Sequence, residues 1–339
     1  MNQKNLNKYR VVSNIERDKW SDFVKNHPKG NIFQTPEMFD IYSSTKNHKP
    51  VFCAALNPQS EIVGVLLAVI MKESSGVVGI LSSRAIVMGG PIIKDDNPEI
   101  LAFLLSSYKK IIKRKVIYTQ VRNLYNQNNL KESFISEGFC YDPHLDILID
   151  LNGDDPAKQM HKSKKRNFTK SNNKGLEFIE INNIEQAKAS LKLISSTYKR
   201  VKLPMPDYSL FLNAFEILIK KEYLKIYGAF VDSKLVGVRW ALTYKNVVYD
   251  WYAGSHDDYN NVYPNDFIIY NILNNGWLDK HVTIFDFGGA GKPGVPYGVR
   301  DHKLKFGGNL VEYGRFIRVN NKFIYWVGKT AIQLRKKLL

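Results

Sequence analysis

Apolar positions along the chain fall into two successive series of similar kind. The first opens with helical spacing over residues 18–26, carrying Trp20 and Phe23. A second helix is predicted from Thr35-Pro36, a hydroxyl cap before a proline at the first helical position, to near Ser44. Strand-like runs follow at 51–56, 61–71 and 76–88, and Gly89-Gly90-Pro91 ends them. Leu101, Leu104, Leu105, Tyr108 and Ile112 recur at helical spacing within 98–113. A buried strand at 116–121, a short helix near 130–137 and a strand at 144–151 complete the series.

The second series repeats the order. Helices are expected at 158–174, 184–199 and 207–220, strands at 224–231, 234–244 and 247–254, a helix at 265–278, and a strand at 282–287 that enters a glycine-rich loop. A short helix at 298–305, a strand at 310–319 and a final helix end the chain. SEIVGVLLA at 60–68 returns as SKLVGVRWA at 233–241, 173 positions later and again at the start of an apolar strand. Shared order and local repeat together predict a duplicated α/β (α+β) protein. The break is expected at the turn-rich Asn152-Gly153-Asp154-Asp155-Pro156.

Composition narrows the class. The 339 residues are 44% hydrophobic and 24% charged, enough for two packed cores. The polar stretch 1–19 lacks the apolar region of a secretory signal, and the longest uncharged apolar run, 62–71, is too short for a membrane span of ~20 residues. A cytoplasmic protein is expected. Two cysteines, Cys53 and Cys140, in no CxxC pair suggest neither a disulfide framework nor a metal site. The net charge of +17 favours an anionic partner. The charge is clustered: seven basic residues and no acid in 158–174, five basic residues in 109–115, and five with no acid in 322–339. In the last stretch Phe323, Val327, Ala331, Leu334 and Leu338 form one apolar stripe, suited to docking on the first domain or to lying on a membrane surface.

The candidate chemistry gathers in FDFGGAGKPGVPYGVRDHKLKFGG, 285–308. A buried strand delivers Asp286 to a loop containing Gly288 and Gly289, and Arg300, His302, Lys303 and Lys305 follow. Glycines allow close backbone approach to a ligand. Lys292 is followed by proline, which excludes a Walker loop, and the spacing does not fit a dinucleotide fingerprint. Arg239 lies inside an apolar strand, where it either joins an ion pair or faces an anionic substrate. Trp251 and Tyr252 supply aromatic tips on the next strand. Lys162, Lys164, Lys165 and Arg166 are candidate polyanion contacts. No serine elbow, HExxH or paired-carboxylate motif appears.

At these residues the chain resembles the FemAB-like non-ribosomal aminoacyl (peptidyl) transferases of the GNAT-like superfamily. The resemblance runs through Trp20 and GNIFQTPEMF, HKSKKRNFTKSNNKGLEF with Arg166, Lys170 and Gly175 in register, DWYAGS, FDFGG and HKLKFGG. His302 stands where the family has another aromatic, and the family's long helical hairpin is missing between Thr197 and Tyr223. The resemblance implies twin GNAT-like domains, 1–152 and 153–319, each a mixed twisted sheet flanked by helices, with a C-terminal helix 320–339 returning to the first. It implies aminoacyl transfer from aminoacyl-tRNA to an amine of a peptidoglycan precursor, nucleotide- or lipid-linked, with Lys303 stabilising the oxyanion and no permanently bound cofactor. Acyl transfer from CoA or a carrier to a sugar amine in polysaccharide synthesis is the alternative reading, and a non-catalytic binder of RNA or anionic glycan the second. Neither half shows the usual CoA-binding glycine loop.

Overall fold

The computed structural model describes residues 8–72, 82–152, 156–274, 281–327 and 330. They divide into two compact units, residues 1–143 with 313–339, and residues 144–312.

The first unit begins with β1 (Arg10–Val12), α1 (Arg17–Asn26), α2 (Pro36–Ser44), β2 (His48–Leu56) and β3 (Ile62–Met71). Thr35 caps α2 by accepting from Met38 N–H ahead of Pro36, as its sequence predicts. Next come β4 (Arg84–Met88), β5 (Ile92–Ile93), α3 (Pro98–Ile112), β6 (Tyr118–Arg122), α4 (Lys131–Ser136) and β7 (Cys140–Asp142). Residues 73–81, part of the strand expected at 76–88, lie outside the described residues. Leu101, Leu104, Leu105 and Tyr108 of α3 are fully buried against the sheet, which is why β3 reads as a continuous apolar run.

The second unit holds β8 (Leu145–Asp150), α5 (Lys162–Asn173), β9 (Glu177–Glu180), α6 (Ile184–Arg200), α7 (Tyr208–Leu218), β10 (Leu224–Val231), β11 (Lys234–Tyr244), β12 (Val247–Ser255), α8 (Pro264–Asn274), β13 (Ile284–Gly289), α9 (Gly298–Leu304) and β14 (Asn309–Glu312). The chain then returns to the first unit as β15 (Arg315–Val319).

The two sheets match strand for strand. The first runs β1-β2-β3-β4-β6-β15-β7, with β5 on β3, and the second β9-β10-β11-β12-β13-β8-β14. Each has one parallel pair, β4 with β6 and β12 with β13. The repeated nonapeptides enter β3 and β11, the third strand of each sheet.

The boundaries differ from those read in the sequence. β8, expected in the first domain, pairs with β13 and β14 of the second sheet. The single strand expected at 310–319 is two strands in different sheets, broken at Tyr313-Gly314. Gly314 has φ +66°, and a Cβ there would lie 2.3 Å from the Tyr141 ring, so the turn needs glycine. β15 sits between β6 and β7. Each sheet thus receives its sixth strand from a segment next to the other sheet's last strand.

The FQ segment holds the first unit closed. Gln34 is fully buried and spans a gap in the β3–β4 ladder: its amide donates to Leu67 and Met88 carbonyls and accepts from Leu67 N–H. Trp20 stacks on Phe52 at 3.8 Å and donates to the Gln34 carbonyl. Gln34→Ala is expected to lower stability by about 2–4 kcal/mol, because three buried backbone groups lose partners at once. Urea unfolding followed by tryptophan fluorescence checks this, and an unchanged midpoint would contradict it.

Candidate active site

In the second sheet the parallel pair comes apart. β12 and β13 are in register only at Val247–Ile284, Val248–Phe285 and Tyr249–Asp286. Both strands carry an irregularity where they separate. Opposite β11, Trp251 is the extra residue between Asp250 and Tyr252. Opposite β8, β13 shifts register between Asp286 and Gly289, and Gly288 there has φ +68°. Bulges bend a strand and re-aim its side chains. The divergence opens a cleft of about 490 Å³. In the first sheet β4 and β6 stay paired over five residues, and a further bond from Gly89 N–H to the Arg122 carbonyl extends the ladder.

Separation leaves backbone groups of β13 without a partner strand. Lys303, on α9, answers two of them: its Nζ donates to the Phe287 carbonyl at 2.5 Å and the Gly289 carbonyl at 3.3 Å. An ammonium has three donors, so one is left for a ligand. Burial lowers the Lys303 pKa, Asp250 opposes that shift, and Arg239 reinforces it.

Arg239 on β11 is 5% exposed and ion-pairs with Asp250 on β12. It is thus an ion-pair member that also lines the cleft. Trp251 and Tyr252 also line the cleft, with Tyr252 edge-on to Phe211 at 4.7 Å. Gly288 and Gly289 form its β13 wall. Tyr198, at the end of α6, faces the same space, its hydroxyl pushed up to about 12 by burial and by Asp250.

Asp286 is 3% exposed and lies behind the cleft wall, accepting from Gly288 N–H at 2.6 Å. Burial, then nearby Asp146, raise its pKa from 3.8 to about 7; the Gly288 bond and Lys303 oppose them. It shapes the Gly288 turn and stays off the cleft surface.

Besides that of Asp286, three expected roles change. Arg300 does not line the cleft; its guanidinium donates to the Ala290, Lys292 and Val295 carbonyls and braces the glycine loop. Lys305 is exposed outside the cleft, leaving Lys303 as the lysine of this motif that enters it. Lys164 cannot meet a polyanion on the surface. It is 5% exposed, with Nζ at 2.8 and 2.9 Å from the two Asp266 oxygens, and it ties α5 to α8. Lys162 and Arg166 are exposed, and Lys165 is partly so.

Sequence reading missed three contributors, and named a fourth, His302, without a role. Asp250 had a visible signal, an acid in an aromatic strand next to the strand that carries Arg239. Tyr198 and Asn265 come from helix ends, where nothing local marks them. His302 lines the cleft with its Nδ1 3.2 Å from the Lys164 ammonium. Burial and that ammonium hold its pKa below the usual imidazole range, so the neutral ring accepts there.

Residues 157–303 match the family model for the acetyltransferase (GNAT) domain, a segment that contains every cleft residue and ends at Lys303. FemX has a similar structure, with a TM-score of 0.72 at 15% identity, covering 94% of this chain and 99% of that one. The chain shares the fold of FemX, and its residues 157–303 are similar to the acetyltransferase (GNAT) domain. L-PGS from Bacillus licheniformis is similar at TM-score 0.58 and 12% identity, over 91% of this chain and 92% of that one. So is the C-terminal domain of a putative lysylphosphatidylglycerol synthetase from Agrobacterium fabrum, at 0.51 and 13%, over 78% and 85%. No protein of curated function matches the sequence.

Two outcomes are expected of this site. Lys164→Ala leaves Asp266 charged and buried without its partner, and should destabilise by about 3–5 kcal/mol, whereas Lys162→Ala should change little. Chemical denaturation of both variants compares them. Asp286→Asn removes a carboxyl whose pKa rises on folding. The stability that this carboxyl contributes is fully present below about pH 4 and is lost as pH rises through about 7. The variant should therefore match wild type near pH 4 and exceed it at pH 8, by at most about 4 kcal/mol. A difference that does not vary between those pH values would refute this.

Proposed function

We propose that the protein transfers an aminoacyl group from an aminoacyl-tRNA to the amine of a cell-wall precursor, nucleotide- or lipid-linked. The observation that carries this reading is the single unused donor of the Lys303 ammonium, held in the splayed cleft by two backbone carbonyls. The acceptor amine attacks the ester carbonyl of the donor, a C–N bond forms, and the C–O bond to the ribose breaks. The ribose hydroxyl leaves with a proton. Negative charge grows on the carbonyl oxygen in between, and a preplaced cation stabilises that charge more than it stabilises the ground state. The Arg239–Asp250 pair fixes the polar wall beside it, and Tyr198 offers a neutral hydroxyl. This chemistry needs no resident cofactor.

The connection from β12 to α8 supports a donor other than CoA. Residues 256–263 contain no glycine and carry Asp257 and Asp258, and the first turn of α8 holds Asp266, already bound by Lys164. A pyrophosphate favours the reverse, free N–H groups and positive charge at a helix N-terminus. FemX and the lysylphosphatidylglycerol synthetase lend the aminoacyl choice support by likeness of fold.

Transfer is measured as mass gain of an amine-bearing muropeptide precursor incubated with charged tRNA. Lys303→Ala is expected to lower kcat by roughly a hundred- to a thousand-fold with KM within a few-fold. Lys303→Arg should rescue partly, because a planar guanidinium cannot place its donors at the same point. Lys305→Ala should behave as wild type. Stoichiometric micromolar binding of acetyl-CoA by calorimetry, with no transfer from any charged tRNA, would establish the CoA-dependent alternative instead.

A further inference from the structure

A second cavity has no part in this chemistry. It measures about 640 Å³ and lies wholly in the first unit. Its walls are the C-terminal end of α3, the starts of β4 and β6, and residues 318–324. The parallel strands β4 and β6 of this sheet begin here, whereas the cleft of the second sheet opens beyond the last paired residues of its own parallel strands.

Its lining is cationic. Lys109, Lys110, Lys113, Arg114 and Arg318 surround it, with hydroxyls from Ser83 and Ser106 between them. Lys109 is neutralised by Glu137 at 2.5 Å, and Arg318 is tied to Asn320. Lys110, Lys113 and Arg114 are exposed and form no ion pair among the described residues. Arg114 also has φ +63° at the helix-ending turn, where glycine is the usual residue. A charged side chain therefore stands at a position whose backbone favours its absence.

One rim of the cavity is apolar and bare. The helical turn 322–327 meets the first unit through Tyr325, edge-on to Tyr118 at 5.3 Å, and through Ile324 in the cavity wall. The opposite face carries Phe323, Trp326 and Val327, exposed by 74, 63 and 45%. The expectation that Phe323 and Val327 would dock on the first domain is therefore overturned: the residues that dock are their neighbours. Ala331, Leu334 and Leu338 of the same stripe lie outside the described residues.

We infer that this face is a docking surface for an anionic bilayer, with a phospholipid phosphate entering the basic cavity and Phe323, Trp326 and Val327 entering the interface beside it. Charge complementarity selects an anion, at the end of α3 and around the cavity mouth. The apolar rim selects a bilayer over a nucleic acid, because it combines aromatic rings with an aliphatic side chain on one helical face. Base stacking would use the rings but has no use for Val327. Basic residues flanking such a face are the mark of a helix lying in the interface plane. The surface is independent of the transfer reaction proposed above.

Co-sedimentation with vesicles tests it, using the full chain and no transfer assay. Binding to vesicles containing phosphatidylglycerol should exceed binding to pure phosphatidylcholine and weaken as salt rises. The variant Lys110→Gln, Lys113→Gln, Arg114→Gly should lose about a hundred-fold in affinity for the anionic vesicles. Arg114→Gly alone should melt at the same or a higher temperature, since it relieves the left-handed backbone while removing a charge. Phe323→Ser with Trp326→Ser should abolish both the vesicle-induced fluorescence shift and the binding that survives high salt. Equal binding to neutral vesicles, or no vesicle binding at all, would overturn the inference. So would a triple variant that loses tRNA binding but keeps its vesicles.

Discussion

A strand that leaves its neighbour abandons its backbone hydrogen bonds, and a buried carbonyl left that way is expensive. The second sheet accepts this expense at one place, where β13 parts from β12 after three paired residues. The Lys303 ammonium replaces the missing partner for the Phe287 and Gly289 carbonyls. Opening of the cleft and placement of its cation are thus one event. Bulges on both strands, the Gly288 turn under Asp286, and the Arg300 brace on the loop all serve the same separation.

The first unit shows what the same topology does without that separation. Its parallel pair stays bonded, and the irregular point falls one strand away, between β3 and β4, where the Gln34 amide fills it. Lysine and glutamine play parallel parts, each a side chain standing in for absent backbone. A charged group with two of its three donors engaged leaves a polar opening. A neutral amide with both its oxygen and nitrogen engaged leaves none. The repeated sheets have in this way come to hold different surfaces, a cleft in one and a basic cavity in the other.

Much of this was legible in the residues. Apolar spacing located the long helices and the central strands because those elements bury one face or two, and burial leaves a period in the sequence. The glycine loop and Lys303 were legible because dihedral freedom and charge are local properties. What escaped was nonlocal. Edge strands such as β7 and β9 are three and four residues long, too short to show a period. Lys164 reads as one more surface lysine until α8 brings Asp266 to it. Arg300 and Lys303 look alike in the sequence, and only the path of the loop decides which of them braces and which faces the cleft. Strand membership was also hidden, since only Tyr313 and Gly314 separate β14 from β15.

The exchange of sixth strands has a consequence for synthesis. A chain growing from its N-terminus has every strand of the first sheet but one by residue 142, yet the missing strand, β15, is made only at residues 315–319. Until then β6 and β7 lack the strand that belongs between them, and β8 has no partner in its own sheet until β13 is made at residues 284–289. Neither sheet can close on the ribosome before nearly the whole message has been read. The nascent protein therefore carries open strand edges for most of its translation, which exposes it to misassembly during that interval. It also means that a gene cut at the midpoint would yield two fragments, each holding a strand that the other requires.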